Sequence, residues 1–330
     1  MDVISQAVLG ASLSQSFAKD KSKQLSALLI GALAGMAPDL DVLIYSEDDP
    51  LLFLEFHRQF THSFFFIPFG ALLCSLVFYL FIKNKLTFSQ VYLFSFLGIA
   101  THGLLDTCTS YGTQLFWPFS DLRVSWNIVS IIDPLFTIPI LIAIVLAVFR
   151  RNRLYARIAF IYAIVFLSSG LVQKQRAENA LYTLAQQRGH HAERILVKPA
   201  FASRHVWKLI YEYDGRYYVD AVKLLWQTTI IPGTSIEKLN IKRDFPWLPK
   251  NSQQAKDIER FRWFSDGFLA VNSQDPNVII DMRYSFLPNQ IKLMWGIELS
   301  QQNIENVHVN FITNTKIDKK SRKQFFDMLY

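Results

Sequence analysis

The chain has 330 residues, of which 51% are hydrophobic and 28 are Phe, and its formal charge is +7. Its length admits two domains, and its two cysteines, Cys74 and Cys108, both in or beside apolar runs, exclude a disulfide framework and a Cys-based zinc site. The positive charge could suggest nucleic acid, but Lys and Arg lie in short loops between apolar runs and scattered through the tail, so they read as a membrane-orientation signal and no nucleic-acid partner is expected.

The mean hydropathy of +0.18 is concentrated in the first half. Residues 1–173 are expected to form an α-helical membrane domain of about five to six helices, and 174–330 a mainly antiparallel β (α+β) soluble domain. Residues 3–18 predict a short, mildly apolar helix, closed by Lys19, Lys21 and Lys23. Met1-Asp2 lacks the basic start of a cleavable signal, so internal helices are expected to direct insertion. Leu25 to about Met36 is rich in Ala, Gly and Leu, which permit close helix packing in lipid, and meets Pro38 just before Asp39 and Asp41. After an acidic loop, the cluster His57-Arg58-Gln59-Phe60-Thr61-His62-Ser63 opens onto the apolar run Phe64–Ile82, which has the length of a spanning helix. A further run, about Val91–Leu105, carries His102 and Asp106 at its far end. Ile128–Phe149 and Ala156–Val172 make two more, with Asp133-Pro134 near the start of the former, where a structural role, or one behind a histidine ligand, is expected.

The basic loops at residues 19–23, 83–85 and 150–153 fall on one side of this domain, while the opposite loops hold Arg58 and Arg123. The positive-inside rule makes the basic side cytoplasmic. That assignment, which uses only Lys and Arg, brings Asp39, Asp41, His57, His62, His102, Asp106 and Asp133 to one outer level. Ionisable groups at membrane depth are costly and usually serve a function or a partner.

The soluble part has another texture. Two aromatic and β-branched runs flank Asp214-Gly215, a strong hairpin signal. Strands are also expected at Phe261–Val271 around Asp266-Gly267, at Val278–Phe286 and at Ile291–Leu299, after a helical linker at about Gln173–Arg188 that leaves His190 and His191 solvated. The last span runs outward, which makes this domain extracytoplasmic and the protein a multi-pass resident of the bacterial inner membrane.

Asp39, Asp41, His57, His62, His102 and Asp106 offer oxygen and imidazole ligands without thiolate, a mixture suited to a divalent metal such as Zn or Mn in a hydrolytic site. They exceed what one catalytic zinc uses, so one or two ions are expected, with a bridging carboxylate in the second case. His102 and Asp106 are four residues apart and share a helix face. Asp39 and Asp41 would diverge on a regular helix, but Pro38 marks a break at which both could turn inward. Asp41 and His62 are candidate catalytic groups, and Arg58 and Arg123 candidate binders of an anionic substrate group. The bland readings are a helix cap for His62, a water-facing helix end for Asp39 and Asp41, and a stabilising pair for His102 and Asp106.

Ala37-Pro38-Asp39-Leu40-Asp41, His57-Arg58-x-x-Thr61-His62-Ser63 and His102-Gly103-Leu104-Leu105-Asp106, followed by Tyr111-Gly112 and Trp117-Pro118-Phe119, resemble the YdjM-like, LexA-regulated bacterial inner-membrane family grouped as metal-dependent hydrolases. The resemblance covers roughly residues 1–175 and implies a membrane-embedded metal hydrolase with the six acids and histidines at the positions that matter. The family often has Thr-His near its N-terminus, where this chain has Ser5-Gln6, a poorer metal ligand.

The reading that follows is a membrane hydrolase acting on an ester or phosphoester of a small molecule or of a membrane lipid, at headgroup height. Two alternatives remain. One is a non-catalytic membrane protein whose outer β-domain binds a partner. The other is a metal or proton transporter, for which the inner halves of the helices offer almost no ionisable groups.

Overall fold

The computed structural model describes residues 1–302 and 306–329. Two compact units are present: Met1–Leu43 with Phe56–Val172, and Ile44–Glu55 with Gln173–Tyr330.

The first unit is helical. In chain order it holds α1 (Val3–Phe17), α2 (Gln24–Met36), the end of the short α3 (Leu52–Phe56), α4 (Ile67–Ile82), α5 (Phe88–Thr107), α6 (Pro134–Phe149) and the first part of α7 (Leu154–Gln187). Local chemistry fixes several starts. Asp2 caps α1 by accepting from the Ile4 and Ser5 amides. Thr87 and Gln90 form a reciprocal capping box on α5. Asp133 caps α6 with Pro134 in its first turn, the structural role expected for it.

Packing is inverted relative to a soluble bundle. Ser12, Ser14 and Gln15 of α1 are buried, whereas Leu73, Leu76, Leu80 and Phe81 of α4 and Ile158, Ile161, Val165 and Val172 of α7 are exposed. Apolar surface on that scale marks a membrane or partner-facing surface. The helices cross closely: a Cβ on Gly10 of α1 or on Gly98 of α5 would lie 2.5 Å from the Gly31 carbonyl oxygen of α2, so these backbones touch, as small residues permit in lipid.

Among the described residues, three helical stretches are long and apolar enough to cross a membrane: Lys21–Leu43, Phe88–Thr107 and Leu154–Gln187. A fourth results if Leu52–His62 and Ile67–Ile82, which meet at 85°, form one broken span. This bend corrects the expectation that the His57–Ser63 cluster opens directly onto a helix beginning at Phe64. Phe60–His62 is a 3₁₀ turn, the Ser63 hydroxyl accepts from the Phe66 amide, and α4 begins at Ile67 with Pro68 in its first turn. The cluster therefore occupies a break between two helices.

The second unit contains two four-stranded sheets. In the first, β1 (Arg194–Pro199), β2 (Val206–Tyr213), β3 (Arg216–Leu224) and β4 (Thr228–Glu237) pair antiparallel in chain order. The hairpin expected at Asp214-Gly215 joins β2 to β3, with φ of 50° and 67° at the two turn residues, the left-handed pair that matches strand twist. In the second sheet β5 (Leu269–Asn272), β6 (Asp275–Asp281), β7 (Trp295–Glu298) and β8 (Asn310–Thr313) are likewise antiparallel in order. Helices α8 (Ile241–Asp244), α9 (Gln253–Phe264) and α10 (Lys319–Leu329) complete it. Alternation along β2 divides its residues between two layers. Trp207, Leu209 and Tyr211 pack with Ala177, Leu181 and Ala185 of α7, while Ile210, with Tyr217 and Val219 of β3, packs on Phe268, Ala270 and Ile280.

The helix expected at about Gln173–Arg188 is present as the continuation of α7, whose 34 residues run unbroken, with Gly189 at φ 72° just past the helix end. Two further expectations change here. Phe261 belongs to α9 and strand begins only at Leu269. Asp266 and Gly267, with φ of 52° and 71°, follow the end of that helix, because the left-handed pair that suits a hairpin also suits a helix C-terminus. His190 is not solvated: its Nδ1 lies 2.8 Å from the Tyr211 hydroxyl, and its ring stacks on Tyr213 at 4.5 Å.

Candidate metal centre

Four segments of the first unit supply the centre. The α2 helix tightens after Met36 into a 3₁₀ turn, Ala37–Leu43, which holds Pro38 at its second position and turns both acids inward: Asp41 is buried and Asp39 half-buried. The break before α4 supplies His57, Arg58 and His62, with Arg58 at φ 66°. The end of α5 supplies His102 and Asp106, both with no exposed surface. Helix α1 adds Gln6, equally buried.

The two imidazoles at the middle meet through their Nε2 atoms, 2.9 Å apart. His62 Nε2 is 3.2 Å from Asp106 Oδ2 and 3.4 Å from Asp39 Oδ1, and His102 Nε2 is 3.3 Å from Asp39 Oδ1 and 3.6 Å from Asp106 Oδ2. The other ring nitrogens are held from behind. His102 Nδ1 is 2.6 Å from the Gly35 carbonyl oxygen, which can only accept, so that nitrogen carries the proton and a neutral ring presents a bare lone pair at Nε2. His62 Nδ1 is 2.9 Å from Thr61 Oγ1 and 3.2 Å from Asp41 Oδ2.

Two ligand groups result, each with its donor atoms within 4.8 Å of one another: Asp39, His62, His102 and Asp106, and Asp39, Asp41 and His57. Asp39 belongs to both, so it would contribute to whichever group held an ion. Asp106 Oδ2 is buried without a hydrogen bond and faces both Nε2 atoms. Two imidazole nitrogens and two carboxylate oxygens converge there, a donor set that could hold a cation among them. The residues could therefore hold a metal ion through nitrogen and oxygen, with no thiolate among them.

The surrounding side chains orient the ligands, as carboxylate and carbonyl partners commonly do around metal-bound histidines. Asp41 is the hub: its Oδ1 is 2.7 Å from His57 Nδ1, and its Oδ2 accepts from the Arg58 amide at 3.0 Å and the Thr61 hydroxyl at 2.8 Å. Arg58 is 5% exposed. Its Nε lies 3.2 Å from Asp106 Oδ2, its Nη1 donates to Thr109 at 3.0 Å, and its guanidinium lies 4.7 Å from the Tyr111 ring centroid. Gln6 Nε2 donates to Asp106 Oδ1 at 2.9 Å, and the Met1 amino group reaches the same oxygen. Gly103 has no room for a side chain, since a Cβ there would lie 2.2 Å from the His62 carbonyl oxygen.

The six acids and histidines named from sequence thus form one connected cluster. Arg58 joins it as the partner of Asp106. Arg123 is bound to the loop beyond it: its Nη2 donates to the Tyr111 and Gly112 carbonyls at 3.2 and 3.1 Å, and its guanidinium lies 5.4 Å from the Tyr111 ring centroid. Sequence reasoning gave no role to Thr61, Thr109, Tyr111 or the Gly35 carbonyl. Thr61 and Tyr111 lie inside or beside the recognised blocks, which was the available signal; Gly35 acts through its backbone and leaves no trace in residue identity. Gln6 was singled out as a replaced ligand, and the structure brings it to Asp106.

The YdjM inner membrane protein family matches residues 1–177, more than half of the chain, and the chain belongs to that family. It is 32% identical over 119 residues to the uncharacterized protein YfhP of Bacillus subtilis (strain 168), covering 36% of each chain, and 31% identical over 108 residues to the inner membrane protein YbcI of Escherichia coli (strain K12), covering 32% of this chain and 61% of that one. The chain thus spans less than two thirds of either relative's length. No solved structure matches.

Proposed function

We propose that this member of the YdjM inner membrane protein family is a metal-dependent hydrolase of esters or phosphoesters, with membrane lipids among its substrates. The observation that carries the reading is the convergence of His62 Nε2, His102 Nε2, Asp39 and Asp106 on one point, with both histidine Nδ1 atoms tied from behind. A divalent ion held there would act as a Lewis acid toward a substrate oxygen and lower the pKa of water.

The chain's own residues divide the remaining work. Asp41 fixes His57 through Nδ1 and leaves its Nε2 to take a proton from attacking water and return it to the leaving group. Asp39 and His57 are the partly exposed members, each with 18% of its side chain accessible, so substrate approaches from their side. Arg58 keeps Asp106 ionised and aligned, and Arg123 offers a cation to an anionic substrate group. Substrate meets this site at the outer membrane–water interface, with the chain crossing the membrane several times and the second unit outside the cytoplasm; the loops at 19–23, 83–85 and 150–153 support that orientation.

The test is the metal content of the purified full chain beside His62→Ala and Asp106→Ala, followed by assay on generic phosphodiester and carboxylester substrates in detergent. Stoichiometric Zn or Mn in the parent chain, lost in both variants, together with metal-dependent turnover, is the expected result. Absence of metal from all three proteins would overturn it.

A further inference from the structure

Helix α7 runs without interruption from an apolar stretch, ending at Val172, into the polar sequence beginning at Gln173. If α7 crosses the bilayer, residues 173–176 stand at the headgroup level. The side chains bound to those residues are therefore candidates for contact with the membrane surface.

Gln173 Nε2 donates to the Leu224 carbonyl at 3.3 Å and the Arg204 carbonyl at 3.4 Å. Arg176 Nη2 donates to the Leu225 carbonyl at 2.6 Å. These bonds fasten two loops of the second unit, the β1–β2 connection and the β3–β4 tip, to the point where α7 changes from apolar to polar. Both loops end in exposed apolar side chains: Phe201 is 48% exposed, Leu225 42%, and Trp226 wholly so. Exposing so large an indole to water is unfavourable. Trp is, however, the residue enriched at bilayer interfaces.

The C-terminal helix α10 lies at the same end. Phe325 packs with Ala200 and Val206 of the β1–β2 region, and Gln324 and Met328 share with Leu225 and Trp226 the walls of one cleft of about 810 Å³. The outward side of α10 carries Lys319, Lys320, Arg322 and Lys323, all exposed, and Phe326 at 56% exposure. On a helix Lys319, Lys323 and Phe326 form one stripe. Cations flanking an aromatic on a short amphipathic helix suit an anionic bilayer surface, where the apolar side chain enters the acyl boundary and the cations meet phosphate.

We propose that this end of the second unit, comprising Phe201, the Leu225-Trp226 tip and α10, is a membrane-surface anchor that seats on anionic phospholipid beside the point where α7 leaves the bilayer. The occupant is lipid rather than a protein partner because the bonds from Gln173 and Arg176 place the tips at the end of an apolar helix, and on and beside α10 the exposed Lys319, Lys320, Arg322 and Lys323 outnumber the acids Asp318 and Asp327. This proposal does not depend on the hydrolase reading.

The experiment uses the full chain in nanodiscs containing phosphatidylglycerol, with and without a quencher-labelled lipid whose doxyl group lies near the top of the acyl chain. The emission of Trp226 is taken as the difference between the parent chain and Trp226→Phe. A second probe, Phe326→Trp in the Trp226→Phe background, reports on α10. Both substitutions are at exposed positions. Quenching of both probes by about half or more, as for an interfacial indole, is the expected result. Emission from either probe that the doxyl lipid leaves unchanged would overturn the anchor as a single lipid-facing surface.

Discussion

The Nε2 atoms of His62 and His102 face each other across 2.9 Å, while Gly35 holds one ring and Thr61 and Asp41 hold the other. The Gly35 carbonyl leaves a bare lone pair at His102 Nε2, and a divalent ion held between the rings would join it to His62 Nε2; the first two expectations concern such an ion.

His57→Ala should separate holding an ion from using it. His57 lies outside the group of Asp39, His62, His102 and Asp106, so the variant should keep one ion per chain by elemental analysis while turnover falls by about 10²- to 10⁴-fold, the range for loss of a proton-transferring side chain. His102→Ala should lose both.

Gln6→Ala removes the amide that donates to Asp106 Oδ1 without touching a ligand. Metal affinity, measured by competition with a chelator, should fall by roughly 10- to 100-fold, as for other groups that orient a ligand from behind. Affinity unchanged from the parent would make Gln6 a packing residue.

Gly103→Ala should disturb the centre through the backbone. The added Cβ would meet the His62 carbonyl oxygen at 2.2 Å, so α5 and the 3₁₀ turn must separate. The expected cost is about 1–3 kcal/mol, read as a lower unfolding temperature in detergent together with weaker metal retention.

The segment Ile44–Glu55 joins Asp41 to His57 along the chain, yet it belongs to the second unit. Arg260 of α9 grips it, with bonds of 2.9 and 2.8 Å to Asp49 and 2.5 Å to Glu55, and a further bond of 3.0 Å to Asp257. Burial works against the guanidinium, but these carboxylates together hold its pKa above the usual arginine value. Arg260→Ala should free the segment, and hydrogen exchange over residues 44–55 should rise well above that elsewhere in the second unit.

The second unit should become more stable as pH rises above neutrality. Lys208 pairs directly with Lys198 across β1 and β2. Burial pushes the Lys208 ammonium down to about 7 against the opposing pull of Asp281, and burial with Arg283 and Lys208 nearby lowers Lys198 as well. For Lys208 the folded value lies below the unfolded one, so between about 7 and the ordinary lysine value of 10.5 the unfolded chain binds more protons, and stability rises with pH by up to about 1.4 kcal/mol per unit from this group. Below pH 7 the penalty is fully present. Lys208→Met should flatten the slope of unfolding temperature against pH across that window.

Much of this was open to local reasoning. The apolar runs, a structural place for the acid before Pro134 and the hairpin at Asp214-Gly215 depend on residues within a few positions of one another, and the structure has all three, the acid as the cap of α6. Asp266-Gly267 misled because the same left-handed backbone ends a helix or turns a hairpin, and the choice rests on whether the preceding residues pack as α9. The run after Ser63 misled because hydropathy has no direction: it marked Phe64–Ile82 as apolar but could not register the 85° bend that precedes α4.

The sequence alone determined which residues are capable of binding a metal, that they lie in three separate blocks, and that one half of the chain suits a bilayer, since side-chain chemistry and hydropathy belong to each residue wherever it is placed. Only the tertiary structure decided that His62 and His102 share one point, that Asp39 belongs to two ligand groups, that Gln6 and the Gly35 carbonyl support them, and that α7 passes unbroken from one unit into the other. Those facts are distances between residues up to about a hundred positions apart, set by helix crossings at Gly10, Gly31 and Gly98 and by the break before α4, and no local rule of spacing or propensity encodes them.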